Sequence, residues 1–212
     1  EKSADGGAIH VSLKGAGASA AAYYKDGHLQ QAISRGDGKV GEDITANAIK
    51  FKGLPAYVEH NRIPFSGAVR MEVILTVADW AVVDPDTQKN PRNLGNGIMG
   101  RKNGVGSELL TAYAFDIVED GRTFARVHEK TDRLTQLGFQ CFEHALCIAP
   151  ESVEAFFEKT RVGREALPFW IDGIVLKIDD LAHQEGLGTT SGRPKGQVAW
   201  KFKSEGAETE VL

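Results

Sequence analysis

Apolar and polar residues alternate at the start of the chain. Ala8, Ile9, Val11 and Leu13 continue a period of two that predicts a strand from the first residues onward. On that strand Glu1, Ser3 and Asp5 share one face, and Lys2 and Ala4 the other. The small-residue stretch Lys14-Gly15-Ala16-Gly17-Ala18-Ser19 reads as a flexible hairpin tip, with Ala20 to Tyr24 as the return strand. Lys25-Asp26-Gly27 is a tight-turn signal, and Leu29 to Ser34 alternates as a third strand. Beyond the glycine-punctuated loop Arg35-Gly36-Asp37-Gly38, Asp43 or Thr45 caps a helix through about Lys50. Ser66 to Leu75 reads as a strand that sets Arg70, Glu72 and Ile74 on the face opposite Met71 and Val73. Thr76 is placed to cap a short helix, and Asn90-Pro91 to start another, with proline at the first helical position. Leu109 to Val118 is a further strand, and helices are predicted over Asp132 to Leu137 and Ser152 to about Arg161. Trp170 to Ile178 and Gln197 to Lys203 close the chain as strands. Hairpins and separated helices in this order predict an α+β fold with mainly antiparallel sheets, in one domain.

The 212 residues are enough for a real core, and 42% hydrophobic with 25% charged residues is ordinary for a soluble globular protein. No apolar run reaches the roughly 18 residues a membrane span needs, so no membrane association is expected. Cys141 and Cys147 lack metal-ligand spacing. With His144 between them they read as thiols on an apolar face, and a reduced, cytoplasmic setting follows. A net charge of −4 argues against a domain that grips nucleic acid unaided.

Several clusters carry potential chemistry, each with a plainer reading beside it. Arg35-Gly36-Asp37-Gly38 with Gly41-Glu42-Asp43 is either two turns and a cap or a polar binding loop. Arg70-Met71-Glu72 fits a surface ion-pair face, and Ala199-Trp200-Lys201-Phe202-Lys203 an amphipathic strand with a solvated basic side. Asp172-Gly173-Ile174-Val175-Leu176-Lys177 sets an acid before a strand and a lysine near its end. Nucleotidyl transfer needs a nucleophile, cations on the α-phosphate, carboxylates for metal or ribose, and an aromatic platform for the base. These clusters supply all but the first.

Their order and spelling resemble the adenylation domain of NAD-dependent DNA ligases. That family reads E-x-K-x-D-G-x-A, then T-R-G-D-G-x-x-G-E-D-V-T, an R-G-E strand, N-P-R-N, D-G-V-V-I-K-V-D-D-L and A-Y-K-F. Here the collinear stretches are Glu1 to Ala8, Ser34 to Thr45, Arg70-Met71-Glu72, Asn90-Pro91-Arg92-Asn93, Asp172 to Leu181 and Ala199-Trp200-Lys201-Phe202. The resemblance implies the nucleotidyltransferase core of the DNA ligase superfamily: antiparallel sheets flanked by helices, with the nucleotide in the cleft between them. In this register Ser3 stands at the position of the nucleophilic lysine, which implies a defect in self-adenylylation. Glu1 resembles the carboxylate that reads the adenine amino group, and Asp5 the acid beside the nucleophile. Glu72 matches the ribose- or metal-side acid, and no metal site is assigned from protein ligands alone. Arg35 and Arg92 match nucleotide or DNA-phosphate ligands, and Lys177 with Lys201 the pair that neutralises the α-phosphate, so that the two should converge. The base platform is Tyr113 or Phe115, with the family's spelling favouring Tyr113. After Asn93 the family continues A-A-A-G-S-L-R, which puts Arg101 one residue late for its DNA-binding role.

Implied with the family are NAD as donor of the AMP moiety, Mg as metal, and nicked double-stranded DNA as a weakly held partner of a monomeric domain. The resemblance covers residues 1–212 as an adenylation domain. It implies a core without the N-terminal module that grips nicotinamide mononucleotide, and without the oligonucleotide-binding, helix-hairpin-helix and BRCT modules. Three functions remain open on these residues: the enzyme, a degenerate nucleotide- or nick-binding module, and a scaffold that keeps only the fold.

Overall fold

The computed structural model describes residues 7–36, 40–83, 90–190 and 193–202. Its strands are β1 (Ile9–Gly15), β2 (Ala18–Lys25), β3 (His28–Ser34), β4 (Glu59–His60), β5 (Ile63–Pro64), β6 (Gly67–Leu75), β7 (Leu110–Glu119), β8 (His144–Cys147), β9 (Ile171–Ile178), β10 (Thr189–Thr190), β11 (Arg193–Pro194) and β12 (Gln197–Lys201). The helices are α1 (Thr45–Ala48), α2 (Val77–Val83), α3 (Pro91–Met99), α4 (Val127–Gln136), α5 (Pro150–Gly163) and α6 (Leu181–Leu187).

Two four-stranded antiparallel sheets carry the fold, ordered β12-β9-β1-β8 and β3-β2-β6-β7. The chain passes from the first to the second between β1 and β2, across Ala16 and Gly17 alone. The hairpin expected about residues 14–19 does not form: β1 pairs with β8 and β9 and β2 with β3 and β6, because Lys14 and Gly15 find β9 while Ala18 and Ser19 find β6. Backbone approach is close here. A Cβ on Gly17 would collide with the Val73 carbonyl oxygen, and one on Gly15 with Phe142 and Ile74.

Period-two patterning sorts side chains into two cores. Ala20, Ala22, Val69, Met71, Val73, Ala112 and Ala114 point from the second sheet into one core, where Phe51, Phe65 and Phe139 fill the space beneath. The second core joins Val11, Leu13 and Ile174 of the first sheet to α5 through Val153, Phe156 and Phe157. It also takes in Ile74 and Tyr113 from the second sheet.

Helix α4 straps the sheets together. It starts five residues earlier than the periodicity predicts, because its N-terminal donors are met by a distant residue: buried Asp179 accepts from the His128 backbone N–H at 2.9 Å and from its Nδ1 at 2.7 Å. Further along, Lys130 pairs with Asp116 of β7 at 2.8 Å, and Thr131 Oγ1 meets His10 Nε2 of β1 at 3.2 Å. Strand β8 and helix α6 have no counterpart in the sequence reading. Asp180 caps α6 by accepting from the His183 N–H at 2.8 Å. The Asn90–Pro91 start of α3 and the Thr76 cap of α2 form as expected, with acceptor distances of 2.9 and 3.1 Å.

Candidate functional site

Between the sheets lies a cleft of about 500 Å³. Its floor on one side is the face of β1 that the apolar residues Val11 and Leu13 leave free, which presents Ser12 and Lys14. Lys14 is the penultimate residue of β1, and its ammonium lies 3.2 Å from Asp172 Oδ1, while Lys201 reaches Asp172 Oδ2 at 3.4 Å. Asp172 is aimed between the two lysines by a bulge: Lys14 faces Gly173 and Gly15 faces Ile171, so Asp172 is the extra residue on β9.

From the second sheet come Ser19, Arg70, Glu72 and Phe115. Glu72 accepts a 2.6 Å hydrogen bond from Ser19 Oγ, directly across β2 and β6. Burial raises its carboxyl pKa, opposed by the Ser19 hydroxyl and the charges of Lys14 and Arg92. Arg35 leaves the end of β3 with its backbone N–H held by the Ser19 carbonyl at 2.9 Å, and Arg92 projects from the first turn of α3. A bulge on β7, where Arg70 faces Asp116 and Met71 faces Ala114, leaves Phe115 as the extra residue. Arg70 stands 5.5 Å from its ring and Lys177 Nζ 5.7 Å. Lys177 donates to the Phe115 carbonyl at 3.4 Å. Burial lowers its pKa; Lys130 and Arg70 lower it further and Asp116 opposes them. Lys14, Arg35, Arg70, Arg92 and Lys177 thus face Glu72 and Asp116, a local excess of positive charge in a chain of net charge −4.

The structure gathers Arg35, Glu72, Arg92 and Lys177 from the sequence reading into this one cleft. Tyr113 does not line it. Although Tyr113 faces Glu72 across the ladder, Phe142 stacks on its ring at 4.9 Å and Phe169 packs at 4.8 Å, so the aromatic open to the cleft is Phe115. Lys177 and Lys201 lie on one face of the sheet but not at one point. Gln197 sits opposite Lys177, whereas Lys201 sits opposite Gly173, about 13 Å further along. Arg101 lies beyond the C-cap Gly100 of α3 and turns to the Val105 carbonyl at 3.0 Å, away from the cleft lining. In the 41–45 segment Asp43 accepts from the Thr45 N–H and hydroxyl and from Gln31, which holds its pKa down at about 2. These bonds close a turn but cap no helix: the N-cap of α1 is Ile44, with no side-chain capping bond, and the helix ends at Ala48 rather than at about Lys50. Glu1, Ser3, Asp5, Asp37, Gly38 and Lys203 lie outside the described residues.

Lys14 and Asp116 were not singled out by sequence reasoning. For Lys14 the signal was present: it alternates with buried Leu13 at the end of a strand and precedes Gly15-Ala16-Gly17, a K-x-x-G spelling. No group of three or more His, Cys, Asp or Glu suited to a metal occurs among the described residues, and none of their helices is long and apolar enough to cross a membrane.

The arrangement of the two sheets has counterparts among solved structures. The alignment with one solved structure, Pmar-Lig_Pre, covers 92% of this chain and 42% of the other at a TM-score of 0.56 and 12% identity, a likeness of fold alone. The family model for the NAD-dependent DNA ligase adenylation domain matches residues 2–205. DNA ligase of Treponema denticola is 36% identical over 94% of the chain, and that of Acinetobacter baylyi 34% over 95%. The chain spans 32% of the length of either relative. It belongs to the NAD-dependent DNA ligase adenylation domain family.

Proposed function

We propose that this chain is the adenylate-loading core of a nick-sealing ligase that uses NAD, and that Lys14 is the residue that takes up AMP. The observation that carries this reading is the position of Lys14. Its amine stands at the cleft floor, beside Asp172 and among the arginines and Lys177. With Lys14 in the nucleophile position, the family spelling E-x-K-x-D-G runs Ser12-Leu13-Lys14-Gly15-Ala16-Gly17. Ser12 and Ala16 then replace the two acids, while the lysine and the final glycine are kept. The register that begins at Glu1 keeps the acids and loses the lysine.

In the loading step Lys14 Nζ, after losing a proton, attacks the α-phosphorus of NAD. A P–N bond forms, the P–O bond to nicotinamide mononucleotide breaks, and the pyrophosphate oxygen leaves with that fragment. Asp172 is the nearest carboxylate to the departing proton, and Lys201 shares its charge. Arg35, Arg92 and Lys177 are placed to offset negative charge on the phosphates, and Phe115 offers the base a ring face. Glu72 is the one cleft carboxylate suited to the ribose or to a magnesium ion. Such an ion would draw most of its ligands from phosphate oxygens and water, as magnesium does at nucleotide sites. Transfer of AMP to a 5′-phosphate at a nick in double-stranded DNA, and displacement by the 3′-hydroxyl, complete the reaction of the whole protein. The adenylation domain itself acts as a monomer in the cytoplasm and holds DNA weakly.

The experiment is intact-mass analysis after incubation with NAD, on the chain and on its fusion to a module that grips nicotinamide mononucleotide. An adenylate should appear, map to Lys14 by peptide sequencing, and vanish in Lys14→Met while persisting in Ser3→Ala. An adduct retained by Lys14→Met would overturn the assignment. No adduct in any form, with reversible nucleotide binding kept, would favour the degenerate binding module to which the loss of both acids also points.

A further inference from the structure

His10 lies beneath the cleft, 4% exposed and directly opposite Lys177 across β1 and β9. Residues facing each other in an antiparallel pair share a side of the sheet, so the two side chains leave the same side from adjacent positions. The Nε2 atom of His10 meets Thr131 Oγ1 at 3.2 Å, and Thr131 in turn donates to the Val127 carbonyl at 3.4 Å. Assigning the threonine hydrogen to the Val127 carbonyl puts the imidazole proton on Nε2 and leaves a lone pair on Nδ1. That Nδ1 is buried and has no hydrogen-bond partner. Lys177 has the complementary shortfall: three donors, and one long hydrogen bond of 3.4 Å to the Phe115 carbonyl. An orphaned acceptor and an under-used charged donor thus face each other across one ladder position, and each alone is costly to bury.

We propose that His10 is a positioning residue for Lys177: its Nδ1 lone pair accepts from the Lys177 ammonium through one water, and aims that ammonium into the cleft. The inference rests on the reading of Lys177 as a nucleotide ligand. His10 suits the task because it stays neutral. Burial pulls its pKa down to about 4, helped by the charges of Lys177 and His144 and by His128, and only Asp179 opposes. A protonated imidazole would set like charges opposite each other on adjacent strands. Around Lys177 the other charged groups are Asp116 of β7, Lys130 of α4 and Arg70 of β6. Asp116 pairs with Lys130 at 2.8 Å and Arg70 at 3.5 Å and acts on Lys177 by its charge, without a hydrogen bond between them. The stacked ring of His144, centroid 5.4 Å from His10, commits its own Nδ1 to the Phe142 carbonyl.

The test is calorimetric binding of NAD to the full chain from neutral to alkaline pH, with His10→Leu, His10→Gln and Lys177→Met. Binding by the unsubstituted chain should fall at the alkaline end as Lys177 loses its proton. His10→Leu, which lacks the acceptor, should move that fall about one pH unit lower, because a hydrogen bond to the charged form is lost. His10→Gln, which retains an acceptor, should restore the original profile. Lys177→Met should bind weakly at every pH. Profiles of His10→Leu and the unsubstituted chain that coincide, with Lys177→Met impaired, would overturn the role of His10. Unimpaired Lys177→Met would instead overturn the reading of Lys177 on which it stands. Should His10→Leu not fold, nitrogen-15 spectra of the unsubstituted chain decide: an Nε2–H tautomer whose Nδ1 shift changes in Lys177→Met supports the proposal, and an Nδ1–H tautomer refutes it.

Discussion

Removing Phe115 separates recognition from folding. Its ring is half-buried on the cleft wall between Arg70 and Lys177, whereas the ring of Tyr113, two residues earlier, is 5% exposed between Phe142 and Phe169. Stacking of a base on an aromatic ring is worth about 1–3 kcal/mol, so Phe115→Ala should weaken NAD binding roughly 5- to 150-fold. Its cost in stability should be small, because most of what the ring covers is the cleft itself. Tyr113→Ala empties a packed aromatic cluster and should cost about 3–5 kcal/mol of folding stability. NAD affinity of the molecules that stay folded should then change little. Calorimetry with NAD and urea denaturation, run on both variants, give the four numbers needed. The reasoning fails if Tyr113→Ala loses affinity as severely as Phe115→Ala, since the cleft would then use the ring that the structure covers.

Glu72 makes stability depend on pH in a stated direction. Its pKa is raised on folding, so between the ordinary carboxylate value of 4.5 and the raised one the folded state holds more protons than the unfolded, and stability falls as pH rises through that window. Glu72→Gln should flatten this fall in urea titrations across the window; a fall of unchanged slope would assign it to another group. Gly173→Ala introduces a Cβ against the Trp200 carbonyl at a backbone φ of +154°, and should lift β12, with Lys201, off β9. Strain of about 1–3 kcal/mol is expected, seen as lost amide-exchange protection over residues 197–201 while β6 and β7 stay protected. Undiminished protection at β12 would show that the strand pair absorbs the methyl group.

Local patterning was enough to read most elements from the sequence. Alternation set Arg70, Glu72 and Ile74 on one side of β6, and the Asn90–Pro91 pair announced α3, because a period of two and an N-cap are properties of neighbours along the chain. Motif order also brought Arg35, Glu72, Arg92 and Lys177 forward as partners, and the cleft unites them. What the sequence left open depends on atoms far apart in the chain. The start of α4 is set by Asp179, some fifty residues away, and the reach of β1 to Gly15 by its pairing with β9. Tyr113 and Phe115 look alike until Phe142 and Phe169 cover one of them. Motif spelling pointed to Ser3, at the opening of the chain, since Glu1, Asp5 and Gly6 outnumber Lys14 and Gly17 in a count of letters. Lys14 draws its weight from a two-residue link that crosses between sheets and from a bulge that sets Asp172 beside it. Neither the crossing nor the bulge is written in local periodicity; both follow from which strands find each other when the two cores close.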